Sequence, residues 1–149
     1  MNRVVTYFSA SGVTASKAKE LFELLQADLY EIVPEQLYTA ADLDWRDKNS
    51  RSTLEMKNRD QRPALKETDH DFSAYDEVWI GFPIWWYTAP TIVNTFIETY
   101  DFSGKKIVLF ATSGGSRIDK AVEDMKKQYP HLNIEKGILL NGKITEEVL

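Results

Sequence analysis

The sequence predicts an α/β domain built as a doubly wound parallel sheet, and three observations carry that prediction. Short runs rich in β-branched and aromatic residues recur along the chain. Between them lie stretches with apolar residues three and four apart, so strand and helix alternate. Two of the runs, 3–8 (RVVTYF) and 106–111 (KIVLFA), are almost unbroken in hydrophobicity. That suits strands covered by helices on both faces.

In chain order, the first strand is residues 3–8. A helix over 13–26 follows, with Ala18, Leu21, Phe22 and Leu25 on one side and Lys17, Lys19 and Glu20 between them. Residues 28–33 (DLYEIV) alternate in polarity, as an edge-side strand does. Residues 34–69 are too long for a simple connection and hold only a weak helical signal, so they read as an excursion or a poorly ordered loop. They carry Arg46, Lys48, Arg51, Lys57, Arg59 and Arg62 against Asp47, Glu55 and Asp60, a locally basic island in an acidic chain. The next strand is 77–82 (EVWIGF). The helix over 90–100 opens on Pro90, which suits a first turn, and carries Val93, Phe96, Ile97 and Tyr100 on one face. After the strand at 106–111, a helix over 116–129 places Ile118, Val122, Met125 and Tyr129 together, and Lys126 and Lys127 complement its dipole. A last strand at 134–140 is interrupted by Glu135, Lys136 and Gly137, which leaves 142–149 for two helical turns at most. Residues 1–149 read as one domain with a long excursion at about 34–69.

Composition narrows the chemistry. The 149 residues include no cysteine and two histidines, His70 and His131. Disulfide frameworks, thiolate nucleophiles, iron–sulfur clusters and Cys-type zinc sites are excluded, and two histidines do not make a His-rich metal centre. Any reaction must lean on carboxylates, hydroxyls or a borrowed group. A net charge of −5 argues against a nucleic-acid partner. No apolar run approaches the ~18 residues of a membrane span, and no signal-peptide stretch opens the chain. The expectation is a cytoplasmic protein with no membrane partner.

Three segments hold the candidate site. The first strand turns into Ser9-Ala10-Ser11-Gly12-Val13-Thr14, where hydroxyls and a glycine meet the unpaired amides of a helix start. Such a loop suits a phosphate held by neutral donors, and it equally suits an ordinary Ser/Thr helix cap. The third strand runs into Pro83-Ile84-Trp85-Trp86-Tyr87-Thr88-Ala89-Pro90. Tryptophan and tyrosine rings supply flat walls for an aromatic ligand, although one of Trp85 and Trp86 is expected to anchor the loop to the body. The fourth strand leads to Thr112-Ser113-Gly114-Gly115-Ser116, another hydroxyl- and glycine-rich turn. All three loops follow strands on the same carboxyl edge of the sheet. The chain has no Gly-x-Gly-x-x-Gly, Walker-type or Gly-x-Ser-x-Gly motif. Asp69-His70-Asp71 reads as a solvated turn, and no metal site is expected.

At these loops the sequence resembles the flavodoxin-like family over nearly its whole length. The resemblance implies a flavodoxin-like, doubly wound five-stranded parallel sheet of order 2-1-3-4-5 with helices on both faces. It also implies a ligand at the switch between strands one and three. Ser9, Ser11, Gly12, Val13 and Thr14 would hold the phosphate of flavin mononucleotide (FMN). Pro83, Ile84, Trp85, Trp86 and Tyr87, with Ser113, Gly114 and Gly115, would cradle the ring. No side chain is assigned a catalytic role, because the chemistry resides on the flavin.

The function implied is that of an FMN-binding redox protein, an FMN-dependent oxidoreductase carrying out electron transfer. Its partners would be a redox protein, or NAD(P)H with a small acceptor. Flavodoxin carriers commonly place a glycine in the second loop and are strongly acidic near the flavin. Residues 82–87 contain no glycine, and the charge is a modest −5. The Phe-Pro-x-x-Trp pattern and the Gly-Gly third loop also resemble quinone-type reductases that transfer hydride from NAD(P)H. The basic island reads first as a solvated charged loop, with a contact to the 2′-phosphate of NADPH as the alternative. A flavodoxin-fold binding module without catalysis is the alternative of another class.

Overall fold

A computed structural model describes residues 2–113, 115–142, 144 and 149. Its elements run β1 (Arg3–Tyr7), α1 (Val13–Leu25), β2 (Asp28–Glu31), α2 (Arg51–Lys57), β3 (Glu77–Pro83), α3 (Thr91–Thr99), β4 (Lys106–Thr112), α4 (Asp119–Gln128) and β5 (Asn133–Leu139). The strands form one sheet in the order β2-β1-β3-β4-β5, and every pairing is parallel. This is the doubly wound fold the sequence predicts.

Side-chain alternation divides the core in two. Val4, Val78, Ile80, Phe82, Ile107 and Leu109 point to one face and pack with Ile92, Val93 and Phe96 of α3 and Met125 of α4. Val5, Tyr7, Trp79, Val108 and Phe110 point to the other, against Ala18 and Leu21 of α1. Gly81 is required where it stands, because a Cβ there would lie 2.1 Å from the ring of Phe110 on the neighbouring strand. With both faces buried, the three inner strands have no room for polar alternation.

The edges depart from the simplest reading. β2 ends at Glu31, although the Ile32 amide still donates to the Tyr7 carbonyl at 2.7 Å. Along β5 the register shifts so that Ile107 faces Ile134 while Val108 faces Lys136. Glu135 is the extra residue of a bulge, which is why the hydrophobic run is broken there. α4 starts at Asp119, later than the expected 116, because Ser116 accepts a hydrogen bond within the preceding loop. The last residues, expected to hold up to two helical turns, lie mostly outside the described residues.

Residues 34–69 form an ordered excursion. An antiparallel bridge between Pro34 and Leu65 closes its base. The weak helical signal is α2, which Ser50 caps by accepting from the Thr53 amide at 3.4 Å. Among the described residues no helix is long and apolar enough to cross a membrane.

Candidate functional site

β1, β3 and β4 are neighbours in register, with Tyr7 beside Gly81 and Pro83 beside Thr112, so the loops that follow them emerge together. Three contacts tie those loops pairwise. Thr14 and Thr112 share a buried hydrogen bond of 2.8 Å between their hydroxyls. The Ile84 amide donates to the Thr112 carbonyl at 2.9 Å. Phe8, at the end of β1, meets Trp85 edge-on with ring centroids 5.9 Å apart.

In the first loop, Ser9 Oγ accepts from the amides of Gly12 and Ala15, both at 3.1 Å. The helix is thus capped from three residues upstream of its Gly12 N-cap, which takes a left-handed conformation (φ 92°). A glycine adopts that angle without the clash a Cβ brings. Ser11, Gly12 and Val13 are exposed, whereas Thr14 is buried and turned toward Thr112. The nearby cation Lys17 is engaged by Glu20 at 3.2 Å and by the Gly142 carbonyl at 2.7 Å. What the loop presents outward is the Ser11 hydroxyl and the first-turn amides that Ser9 does not take, all neutral donors.

The second loop is a tight turn. The Trp85 amide donates to the Thr88 carbonyl at 2.9 Å, and the Thr88 amide returns a bond to Trp85 at 3.1 Å. The two central residues, Trp86 (φ 46°) and Tyr87 (φ 69°), are both left-handed. Asn and Gly normally fill such positions, and a bulky residue there costs roughly 1–2 kcal/mol. The turn holds both rings outward, with Trp86 41% and Tyr87 64% exposed. Trp85 is the anchor: it is half-buried and also meets Tyr38 edge-on at 5.6 Å. At the far end Thr88 donates to Asp124 Oδ2 at 2.7 Å, and Lys120 donates to the same oxygen at 2.8 Å. Burial pushes the Asp124 carboxyl up, but these two donors outweigh it and hold its pKa below the usual carboxylate range.

In the third loop Ser113 Oγ donates to the Ser116 carbonyl at 2.6 Å and accepts from the Gly115 amide at 3.3 Å. The Ser113 amide donates to Asn141 Oδ1 at 2.9 Å, so a side chain beyond β5 braces this loop. Gly115 is exposed at the tip, and Gly114 lies outside the described residues.

The excursion supports the second loop from behind. Tyr38 donates to the buried carboxylate of Glu55 at 2.5 Å, and Arg51 Nε donates to the other oxygen at 3.0 Å. The Arg51 guanidinium also sits 3.8 Å above the Tyr38 ring. Burial, then the Glu55 bond and charge, push the Tyr38 phenol far above its ordinary pKa, so the ring is a neutral wall against Trp85 and Phe8. Neither Tyr38 nor Asn141 stood out in the sequence. Between excursion and second loop lies an apolar cleft of about 270 Å³, lined by Leu43, Trp45, Ser52, Met56, Ile84 and the two tryptophans of the turn.

Three of the six cations of the basic island are paired within the chain. Arg46 pairs with Asp44 at 3.3 Å, Arg51 with Glu55, and Arg62 with Glu98 at 3.0 Å. His70 packs against the rings of Tyr30 and Phe72 with centroids 4.4 and 4.7 Å away, so its segment is more than a solvated turn.

Comparison with known proteins places these observations. A model of the flavodoxin family matches residues 2–149. A protein from Bacteroides eggerthii, provisionally named a flavoprotein, shares 48% identity at a TM-score of 0.96, covering 99% of this chain and 92% of that one. A second such protein, from Bacteroides uniformis, shares 50% identity at a TM-score of 0.95, with coverages of 99% and 94%. A flavoprotein from Lactobacillus acidophilus, in complex with FMN, shares the fold at 21% identity and a TM-score of 0.73, with coverages of 93% and 92%. No curated protein matches the chain.

Proposed function

The chain belongs to the flavodoxin family, and from that premise we propose that it binds FMN at the three-loop edge and acts as a redox protein. The observation that carries this reading is the triangle of contacts Thr14–Thr112, Ile84–Thr112 and Phe8–Trp85. It brings a loop of neutral donors and two outward aromatic rings to one edge. The donor set fits FMN. Ser11, Gly12 and the first amides of α1 suit its phosphate without a cation, with Ser9 shaping the loop and Thr14 bracing it. Trp86 and Tyr87, with Pro83, Ile84, Ser113 and Gly115 around them, suit the ring. FMN binding in the Lactobacillus acidophilus flavoprotein supports the same choice of cofactor. When bound, FMN supplies the electron-accepting and electron-donating chemistry, and the protein supplies position and dielectric.

Within that reading, the second loop favours two-electron over one-electron use. Its central positions hold Trp86 and Tyr87, both already left-handed. The glycine that flavodoxin-like carriers commonly place in this loop lets a peptide flip toward the reduced flavin, and such a flip costs more between two bulky residues than at glycine. A reductase drawing hydride from NAD(P)H is therefore a specific second reading beside that of an electron carrier. Anaerobic reduction of the FMN-loaded protein separates them. A carrier is reduced by dithionite in two spectrally distinct stages and is inert to NADH and NADPH. A reductase is bleached in one stage by a nicotinamide nucleotide.

A further inference from the structure

We propose that the excursion is itself part of the flavin site: the apolar cleft receives the dimethylbenzene end of the isoalloxazine ring, and Trp45 covers that end from water. The inference deepens the FMN reading and rests on it. It adds to the site residues that none of the three loops contains, since Leu43, Trp45 and Met56 belong to the segment between β2 and β3.

The isoalloxazine ring has two chemically different ends. One is a benzene ring with two methyl groups, and the other is a pyrimidinedione with carbonyls and an N–H. The two flanks of the second loop differ in the same way. β3 lies between β1 and β4 in the sheet, so the third loop stands on one side of it. Ser113, Gly115 and Asn141 make that flank one of hydroxyl, amide and peptide groups. On the other side Tyr38 of the excursion packs against Trp85 and against Phe8, at the end of β1. There the cleft of about 270 Å³ joins Ile84, Trp85 and Trp86 to Leu43, Trp45 and Met56. Among the described residues no charged side chain lines it, and the Ser52 hydroxyl is engaged with Ser50 at 3.5 Å. A carbonyl or N–H placed there would lose water without gaining a partner, a cost that methyl groups do not incur. Ile84 and Trp86 belong to both cradle and cleft, so a single ligand occupies the two together. Trp45 keeps 69% of its surface in water, yet the turn that carries it is fixed. The Leu43 amide donates to the Thr39 carbonyl at 3.2 Å, the Arg46 amide to Asp44 Oδ1 at 3.1 Å, and the Ser52 amide of α2 to the Asp42 carbonyl at 2.9 Å. An indole held this way needs little ordering on binding, and flat hydrocarbon laid against it removes both surfaces from water.

The test loads the flavin-free protein, in excess so that the flavin stays bound, with FMN carrying chlorine in place of the methyl group at ring position 8. Thiophenolate attacks that carbon where water reaches it: a C–S bond forms, the C–Cl bond breaks, and chloride leaves with its electron pair. The flavin's oxidation state is unchanged, and the absorbance of the product reports the rate. The chain has no cysteine to compete with the added thiolate. On the unsubstituted protein the bound flavin should react at least about tenfold more slowly than free flavin, and on Trp45→Ala within about threefold of it. Trp45→Phe keeps a flat wall and should retain most of the protection. Trp45→Ala should also weaken FMN itself about three- to tenfold. Leu37→Ala is the control, removing a residue of the excursion that is 68% exposed and does not line the cleft, and it should change neither reading. Equal rates for bound and free flavin overturn the inference, and so does protection or FMN affinity that survives Trp45→Ala unchanged. The FMN reading stands in those cases. Failure of the unsubstituted protein to take up FMN is the different result that removes the parent reading and the inference with it.

Discussion

Thr14 and Thr112, 98 positions apart in the chain, meet through their hydroxyls at 2.8 Å and join the start of α1 to the end of β4. Both are almost fully buried. Replacing Thr14 alone with Val strands a buried hydroxyl on Thr112 and should cost about 1–3 kcal/mol of stability. The double variant Thr14→Val/Thr112→Val leaves no orphan and should recover most of that loss. Urea denaturation of the unsubstituted protein, Thr14→Val, Thr112→Val and the double variant measures the coupling. Additive losses would contradict a shared bond.

The aromatic turn should trade stability against binding. Tyr87→Gly relieves roughly 1–2 kcal/mol of left-handed strain and gives back about 0.5–1 kcal/mol through unfolded-chain entropy. Thermal melting of the variant should therefore show no loss, while removal of the ring weakens FMN about three- to tenfold. A variant that melts lower with unchanged FMN affinity would assign the ring to packing.

A control lies at the other end of the same strand. Glu77 is 2% exposed and accepts from Arg3 at 3.0 Å and from the indole of Trp79 at 2.8 Å, with Lys106 3.9 Å away. Glu77→Ala leaves the buried Trp79 donor unpaired and should cost about 2–3 kcal/mol in urea denaturation. The seven residues of β3 separate it from the site by about 20 Å, so FMN affinity of the folded variant should hold within about twofold.

Acid should loosen the site's supports. Burial pushes up the carboxyls of both Asp124 and Glu98, but bonds from Lys120 and Thr88 to the first, and from Arg62 and Tyr129 to the second, hold each below its ordinary value. Folded values lower than unfolded ones mean that their stabilisation is complete above the ordinary carboxylate range of about 4 and fades as pH falls through the depressed values. Melting temperatures of the unsubstituted protein and Asp124→Asn should differ at pH 6 and converge below about pH 4. Curves that stay parallel into acid would remove Asp124 from this role.

What the sequence reveals and what it hides follow from the range of the interactions. β1, β3 and β4 are legible because strands buried on both faces must be continuously apolar, and the loops at their ends carry glycines and hydroxyls in plain view. The bulge at Glu135 is visible as a broken hydrophobic run. The left-handed pair Trp86 and Tyr87 is hidden, since backbone preference assigns such a turn to Asn and Gly. Tyr38 and Asn141 are hidden as well. Their roles exist through bonds to Glu55, 17 positions away, and to Ser113, 28 positions away. The orientation of Thr14, in the first turn of α1, is set by a partner at the end of β4, so a local motif cannot tell an outward hydroxyl from an inward one.

The central claim is that the three-loop edge holds FMN through its phosphate and its ring together. Titration of the flavin-free protein with FMN and with riboflavin, which lacks the phosphate, tests both halves at once by the quenching of flavin fluorescence. The account predicts one FMN per chain, with riboflavin bound at least about tenfold more weakly because the first loop's donors go unused. Fluorescence unchanged by either flavin would contradict the site, and equal affinity for the two would contradict the phosphate loop.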